Sequence, residues 1–113
     1  MTHFATTFSS TSASSVLAPI TATINLSALA HNLSELRRWI APSCDILGVV
    51  KANAYGHGSA MIAKSLVDLG VQRFGVATVQ EGNLLRKEGI TQPILVMGGL
   101  IPGQIPELIH HHL

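Results

Sequence analysis

A chain of 113 residues is long enough for one modest domain with a hydrophobic core. Only 12% of the residues are charged, against about a quarter in typical globular proteins, so part of the surface is expected to be covered. A net charge of +1 gives no electrostatic reason to expect a nucleic-acid partner, and no apolar run is long enough to span a bilayer. The single cysteine, Cys44, excludes an internal disulfide.

The first 19 residues, MTHFATTFSSTSASSVLAP, differ in composition from the rest. They are rich in Ser, Thr and Ala and contain no Asp, Glu, Lys or Arg. They lack the charged start and apolar centre of a secretory signal and the arginines of a transit peptide. We therefore predict a disordered N-terminal tail over residues 1–19.

An orderly pattern begins at Ile20. The segment ITATIN, residues 20–25, alternates apolar and polar residues and predicts a first strand with one buried face. Ser27 is expected to cap a helix that ends before Pro42. The apolar positions of this helix are Leu29, Leu33, Leu36 and Ile40, spaced by four, three and four.

Three further apolar runs predict core strands, each followed by a helix. The runs are ILGVV (residues 46–50), RFGVATV (from about Phe74) and ILVM (residues 94–97). They are too short for helices and apolar on both faces, which is typical of strands in a covered parallel sheet. The sequence therefore predicts consecutive βα units with right-handed crossovers, in an open or a closed sheet.

The helices of these units carry start and stop signals. Ser59 is expected to cap the first helix, which Gly70 closes, and its buried positions are Ile62, Ala63, Leu66 and Leu69. Thr78 and Glu81 form a T-x-x-E capping box that starts the second helix, which ends at Gly89. Pro106 suits the first turn of the third.

The stretch GVVKANAYGHGSA, Gly48 to Ala60, contains the most informative residue of the chain. Lys51 ends the first core strand, at the edge where α/β proteins carry their functional groups. A dry environment disfavours the charged form of an amine, and a neutral amine can attack an aldehyde. Position alone allows two interpretations of Lys51. It is either a candidate nucleophile or a lysine that ends a buried strand and extends its charged end to solvent.

The segment VVKANAYGHG resembles the cofactor-lysine motif of alanine racemases, fold type III enzymes that use pyridoxal 5′-phosphate (PLP). The flanking segments INLSALAHNLSELR and RFGVATVQEGNLLRKEGITQPILVMGG are similar to neighbouring parts of the same family. The resemblance implies an α/β fold, the N-terminal portion of a (β/α)8 TIM barrel with about three βα units. Residues 20–113 are then an incomplete barrel domain, without the C-terminal β domain.

The resemblance implies roles for four residues. Lys51 forms the Schiff base with PLP and, when an amino acid displaces it, acts as one of two catalytic bases. Tyr55 lies in the cofactor pocket with its hydroxyl near the phosphate. Val49 packs near the cofactor ring, and Met97 takes a third-strand position that is usually aliphatic in the family.

Other polar residues are given structural roles. Asn53 and His57 are expected to hydrogen-bond the loop backbone, and Gly56 and Gly58 to permit tight turns. Adjacent histidines on a helix point in different directions, so the run His110–His112 is a weak metal signal, and no metal site is expected. The remaining charges, Glu81, Arg86 and Arg37, are interpreted as cap or solvated-face residues.

The resemblance also implies properties of a whole protein. These are interconversion of L- and D-alanine to supply peptidoglycan, a cytoplasmic location, and a homodimer with sites at the interface, without nucleic acid or membrane. The opposing base in the family is a tyrosine from the partner's later domain, which would lie beyond Leu113. We therefore expect the chain alone to be poorly folded and inactive, because the edges of its sheet are exposed.

Three alternatives stay open. A broad-specificity amino-acid racemase has a similar lysine motif, and its substrate choice depends on residues that this chain lacks. A non-catalytic PLP-carrier barrel also has the lysine but normally lacks the continuation Tyr55 to Gly58. The third alternative is a truncated gene product with no function of its own.

Overall fold

The computed structural model describes residues 20–113, and the tail predicted for residues 1–19 lies outside that range. Its elements are α1 (Leu26–Trp39), β1 (Leu47–Val49), α2 (Lys51–Tyr55), α3 (Ser59–Asp68), β2 (Arg73–Val76), α4 (Val79–Lys87), β3 (Ile94–Val96), a 3-10 helix (Pro102–Gln104) and α5 (Ile105–His110). The three strands form one parallel sheet in the order β1-β2-β3. The predicted succession of βα units is confirmed.

One face of this sheet packs against helices. Phe74 pairs in register with Gly48 on one side and Ile94 on the other, and Phe74 is fully buried. A side chain at Gly48 would meet Leu66 of α3, which places this row of the sheet against that helix. The buried core comprises Leu33, Val50, Ala54, Ile62, Ala63, Leu66, Val71, Phe74, Val76, Leu85, Ile90 and Ile94.

The opposite face of the sheet is here called the open face, because its large apolar side chains remain partly exposed. Val49, Gly75 and Leu95 lie in one register row, and side chains alternate between faces along a strand. Leu47, Val49, Leu95 and Met97 remain 37%, 37%, 54% and 44% exposed. Large apolar side chains exposed together on one face indicate a surface that another part of a protein covers.

The predicted first strand is not formed. Residues 20–25 have no regular secondary structure, and Ile20 is 86% exposed. A strand needs a neighbour for its backbone groups, and within residues 20–113 the sheet consists of β1, β2 and β3 only. The strand predicted from the alternation of residues 20–25 is therefore wrong for this structure, in which no described strand pairs with the segment.

Helix α1 forms where it was predicted, with a different cap. The side chain of Asn25, and not that of Ser27, accepts a hydrogen bond from the Ala28 amide at 3.0 Å. Asparagine and serine are comparable caps, so the register of the turn decides between them. Leu33 is buried as predicted, whereas Leu36 is 48% exposed, because α1 lies against the core with only part of its apolar face.

Helices α3 and α4 match their predicted signals closely. Ile62, Ala63 and Leu66 are buried, and Leu69 packs against the core. Ser59 is the first residue of α3, not its cap. The capping box of α4 is confirmed, since the Glu81 amide donates to Thr78 Oγ1 at 3.2 Å and the Thr78 amide donates to a Glu81 carboxylate oxygen. Pro106 lies in the first turn of α5, as predicted.

Arg86 was interpreted as a cap or solvated-face residue, whereas the structure shows it partly buried and bonded beyond its own helix. Its guanidinium donates to four backbone carbonyls, those of Ile90, Gln92, His111 and His112, at 2.7 to 2.9 Å. These contacts join α4 to the segment before β3 and to the end of α5. Partial burial lowers the pKa of the Arg86 guanidinium from its ordinary value, and it stays charged at neutral pH.

Candidate active site

The chain makes an unusual left-handed turn directly after β1. In α2, the residues Ala52, Asn53, Ala54 and Tyr55 have φ of 50°, 55°, 53° and 55°. Left-handed backbone costs an L-residue roughly 1–2 kcal/mol, and asparagine tolerates it better than alanine or tyrosine. Four such residues in succession persist only if their surroundings hold them, and strain of this kind is concentrated at functional sites.

Side chains of the turn itself supply part of that support. Asn53 Oδ1 accepts a hydrogen bond from the Ser59 amide at 2.9 Å, and His57 Nδ1 lies 2.9 Å from the Ala54 carbonyl oxygen. Gly56 and Gly58 have φ of 86° and 92°, which glycine adopts without strain. The predicted structural roles of Asn53, His57 and the two glycines are confirmed.

A more distant residue, Glu81 of α4, also holds the turn. Its Oε1 accepts a hydrogen bond from the Ala52 amide at 2.8 Å, and its Oε2 accepts one from the Ala77 amide at 2.7 Å. Ala52 follows Lys51, and Ala77 follows the last residue of β2. One carboxylate therefore ties the backbone after the lysine to the carboxyl end of the neighbouring strand.

Lys51 lies just past the carboxyl end of β1, two residues beyond Val49, the last residue of the strand. Val50, immediately before it, is buried, and Lys51 itself is half-buried. The ion pairs found among residues 20–113 are Arg38–Glu35, Lys64–Glu88 and Arg73–Asp45, so no carboxylate of this range pairs with the Lys51 amine. An amine at this edge, without a carboxylate partner in the described part of the chain, is suited to covalent chemistry with a carbonyl compound.

Tyr55 and Val49 line one cleft of about 430 Å³ between the start of α1, β1 and the left-handed turn. Tyr55 is 61% exposed, so its hydroxyl can reach a ligand. Lys51 and Met97 are not among the residues lining this cleft. The structure therefore brings Tyr55 together with Val49 and leaves Lys51 and Met97 outside that group.

Met97 lies on the open face, beyond the end of β3. A side chain placed at Gly75 would approach Met97 Sδ to 3.3 Å and Leu47 Cδ2 to 2.8 Å. Gly75 is the register partner of Val49. Met97 and Val49 thus flank the same glycine, and together with Leu47 they form an apolar patch on the open face.

Neither a metal centre nor a membrane-spanning helix is found among the described residues. Within residues 20–113 no group of three or more His, Cys, Asp or Glu side chains is placed to hold a metal ion. None of the helices in that range is both long enough and apolar enough to cross a membrane. Cys44, the single cysteine, is exposed.

The parallel βα units, with a lysine just past the carboxyl end of β1, have the architecture of part of an α/β barrel. Residues 24–113 match the family model described as the alanine racemase N-terminal domain. The chain belongs to this family. The predictions of the family and of an incomplete TIM-barrel fold are confirmed.

Similarity to individual proteins covers most of this chain and a small part of theirs. The alanine racemase of Geobacter sulfurreducens is 52% identical over 86 residues, which are 76% of this chain and 22% of that protein. The solved alanine racemase of Clostridium difficile 630 superposes with a TM-score of 0.76 at 36% identity, over 78% of this chain and 24% of that one. The chain thus spans less than a quarter of the length of these two relatives.

A solved histidine racemase from Leuconostoc mesenteroides is nearly as similar. It superposes with a TM-score of 0.71 at 34% identity and covers 76% of this chain and 23% of that chain. Two enzymes named for different amino acids therefore share this segment. Both superpose on the fold of this segment, so substrate choice must depend on more than that fold.

Sequence reasoning missed the contact between Glu81 and the lysine turn. The T-x-x-E pattern identified Glu81 as a capping residue, and the capping box is indeed present. The bond to Ala52 spans 29 positions, and no local pattern predicts a contact at that separation. The available signal was the parallel sheet, which brings the carboxyl ends of β1 and β2 side by side.

Proposed function

We propose that this chain is the N-terminal part, residues 20–113, of the PLP-binding barrel domain of an alanine racemase that interconverts L- and D-alanine. The observation that carries the proposal is the place of Lys51, at the carboxyl end of β1 and at the start of a strained left-handed turn. Membership of the alanine racemase family supports it. Because relatives are far longer, the activity belongs to a protein that includes further domains.

The residues at this edge fit PLP in their chemistry. Lys51 offers an amine for the aldehyde carbon, and the exposed hydroxyl of Tyr55 offers a hydrogen bond to the phosphate. Val49 and Met97 are apolar and partly exposed, as suits contact with an aromatic ring. Bound PLP supplies an electron sink that makes the α-proton of an amino acid acidic.

Each residue then has a distinct task. Lys51 Nζ would hold the cofactor and, with an amino acid bound, would accept or return the α-proton on one face. Val49 and Met97 exclude water beside the ring, and Tyr55 fixes the phosphate end. Inversion requires a second base on the opposite face, which we assign to a tyrosine in the later domain of a partner subunit, in a homodimer.

The role in the cell follows from this activity. D-Alanine made by the enzyme would be used for peptidoglycan, and we place the enzyme in the cytoplasm, where alanine is available. Its partner is a small amino-acid substrate, with neither nucleic acid nor membrane involved. A net charge of +1 supports the absence of a nucleic-acid partner.

The test uses a racemase graft, in which residues 24–113 replace the matching segment of the Clostridium difficile 630 enzyme. The graft should bind PLP, show the yellow absorbance of a lysine–cofactor link and racemise alanine. Lys51→Ala should abolish the yellow absorbance and the racemisation, and the control Lys64→Ala should retain them, since Lys64 is exposed on α3. A borohydride-reducible link in Lys51→Ala would contradict the assignment.

A second candidate is a racemase of another amino acid. The similarity to the Leuconostoc mesenteroides histidine racemase supports histidine as the alternative substrate. The complete protein that contains this segment should be assayed with alanine and with histidine. Faster turnover of histidine would replace alanine as the substrate, while the roles of Lys51 and Tyr55 would stand.

A further inference from the structure

We propose that Glu81 is a positioning residue for Lys51. Its carboxylate fixes the backbone directly after the lysine and so sets where the Lys51 amine stands relative to the end of β2. The effect on the amine rests on the function proposed above. The effect on the backbone does not, because it follows from the contacts alone.

Glu81 makes three hydrogen bonds to backbone amides. Oε1 accepts from Ala52 at 2.8 Å, and Oε2 accepts from Ala77 at 2.7 Å and from Thr78 at 3.4 Å. Two of these amides belong to the α4 capping region, and the third belongs to the lysine turn. A capping box needs only the contact with Thr78, so the Ala52 bond is an additional task for this side chain.

The backbone conformation of the turn explains why it requires this hydrogen bond. Ala52 is the first of four residues with positive φ, and the backbone reverses its handedness between Lys51 and Ala52. The bond from Glu81 holds the peptide at the point of reversal. Hydrogen bonds from amides to a carboxylate are about twice as strong as those between neutral groups, which suits a strained backbone.

A carboxylate is required because both of its oxygens accept. In Glu81→Gln one oxygen becomes an NH2 group, which donates and cannot face an amide N–H. The variant can satisfy either Ala52 or the Ala77–Thr78 pair, but not both. The Ala77 and Thr78 amides are nearest to residue 81 in sequence, so we expect them to keep their hydrogen bonds to the remaining oxygen. The Ala52 amide then loses its hydrogen bond, and residue 81 no longer holds the lysine turn.

The first readout is amide exchange, measured both in the 113-residue chain and in the racemase graft. Glu81→Gln should speed exchange at Ala52 about tenfold or more, the loss expected for one charge-assisted bond. The amide of Phe74, bonded to the Pro93 carbonyl, reports on the core and should stay unchanged. Two controls, Thr78→Ala and Glu88→Gln, should leave Ala52 within about twofold of wild type.

The controls separate positioning from capping and from charge. Thr78→Ala removes half of the capping box but leaves the bond between Glu81 and Ala52. Glu88→Gln makes the same charge change at the other end of α4, where Glu88 pairs with Lys64. In the graft, Glu81→Gln should also slow formation of the yellow lysine–PLP link about tenfold, and both controls should form it at the wild-type rate.

Several results would overturn the positioning role. These are unchanged Ala52 exchange in Glu81→Gln, equal acceleration in Thr78→Ala, a parallel rise at Phe74, and an unprotected Ala52 amide in both wild-type proteins. A wild-type graft that folds with protected Ala52 but forms no link at Lys51 would instead refute the proposed function. Ala52 exchange would still decide whether Glu81 holds the turn.

Discussion

Asn53 Oδ1 accepts a hydrogen bond from the Ser59 amide at 2.9 Å, so a residue of the left-handed turn caps the helix that follows it. Gly58, the residue before α3, has no side chain to perform this task. Asn53 also has φ of 55°, a conformation that asparagine tolerates better than most residues. One side chain thus stabilises both the turn after Lys51 and the start of α3.

Asn53→Ala should therefore lower the free energy of unfolding by about 1–2 kcal/mol, from the lost cap and the less tolerant backbone. Asn53→Gly should cost less than the alanine variant, because glycine accepts positive φ while still lacking the cap. Urea denaturation of the racemase graft measures both. Equal losses in the two variants would show that the backbone conformation contributes nothing.

Tyr55→Phe should weaken PLP binding without altering stability. The phenol is 61% exposed, and no hydrogen bond joins it to another of the described residues, so folding gains little from its hydroxyl. Loss of one hydrogen bond to a phosphate should raise the dissociation constant of PLP about tenfold or more. Absorbance titration of the graft measures the constant.

The control for Tyr55→Phe is Trp39→Phe, which alters another exposed aromatic residue at the end of α1. It should leave PLP affinity unchanged. If Tyr55→Phe binds PLP as tightly as wild type, the phosphate contact must come from elsewhere in the protein. Tyr55 would then be a residue that only fills the cleft with Val49.

The adjacent glycines Gly98 and Gly99 should respond very differently to alanine. A Cβ at Gly98 would collide with the carbonyl oxygen of Ala77, a backbone atom that cannot move aside. At Gly99 no described atom lies within 4 Å of that position. Gly98→Ala should lower the free energy of unfolding by about 2 kcal/mol or more, and Gly99→Ala by less than about 0.5 kcal/mol. Thermal unfolding of the two graft variants, compared side by side, checks this contrast.

Local sequence patterns predicted those features that depend on neighbouring residues. The capping box of Thr78 and Glu81, the buried positions of α3 and the three parallel strands all follow from spacing alone. The pattern of residues 20–25 was equally clear, yet no strand forms, because a strand is completed by a partner. Alternation of apolar and polar residues shows that a segment can form a strand, and the strand forms only where a neighbouring strand pairs with it.

The candidate site was predictable in its residues but not in its geometry. The motif from Lys51 to Gly58 located the turn, and glycines suggested that it is tight. Nothing local indicates that Ala52, Ala54 and Tyr55 adopt positive φ, since these residues disfavour it. That conformation is held by Asn53 and His57 near the turn and by Glu81, 29 positions from Ala52, so it becomes visible only in three dimensions.

The planar guanidinium of Arg86 donates hydrogen bonds to four carbonyl oxygens at once. Lysine keeps the charge but presents a single ammonium, which cannot reach oxygens spread from Ile90 to His112. Arg86→Lys should therefore destabilise the graft by about 2–3 kcal/mol, while Arg38→Lys, at an exposed pair with Glu35, should cost less than about 0.5 kcal/mol. Urea midpoints of the two variants give the comparison. Equal midpoints would mean that the charge of Arg86 matters and its shape does not, and the junction of α4 with the end of α5 would need another explanation.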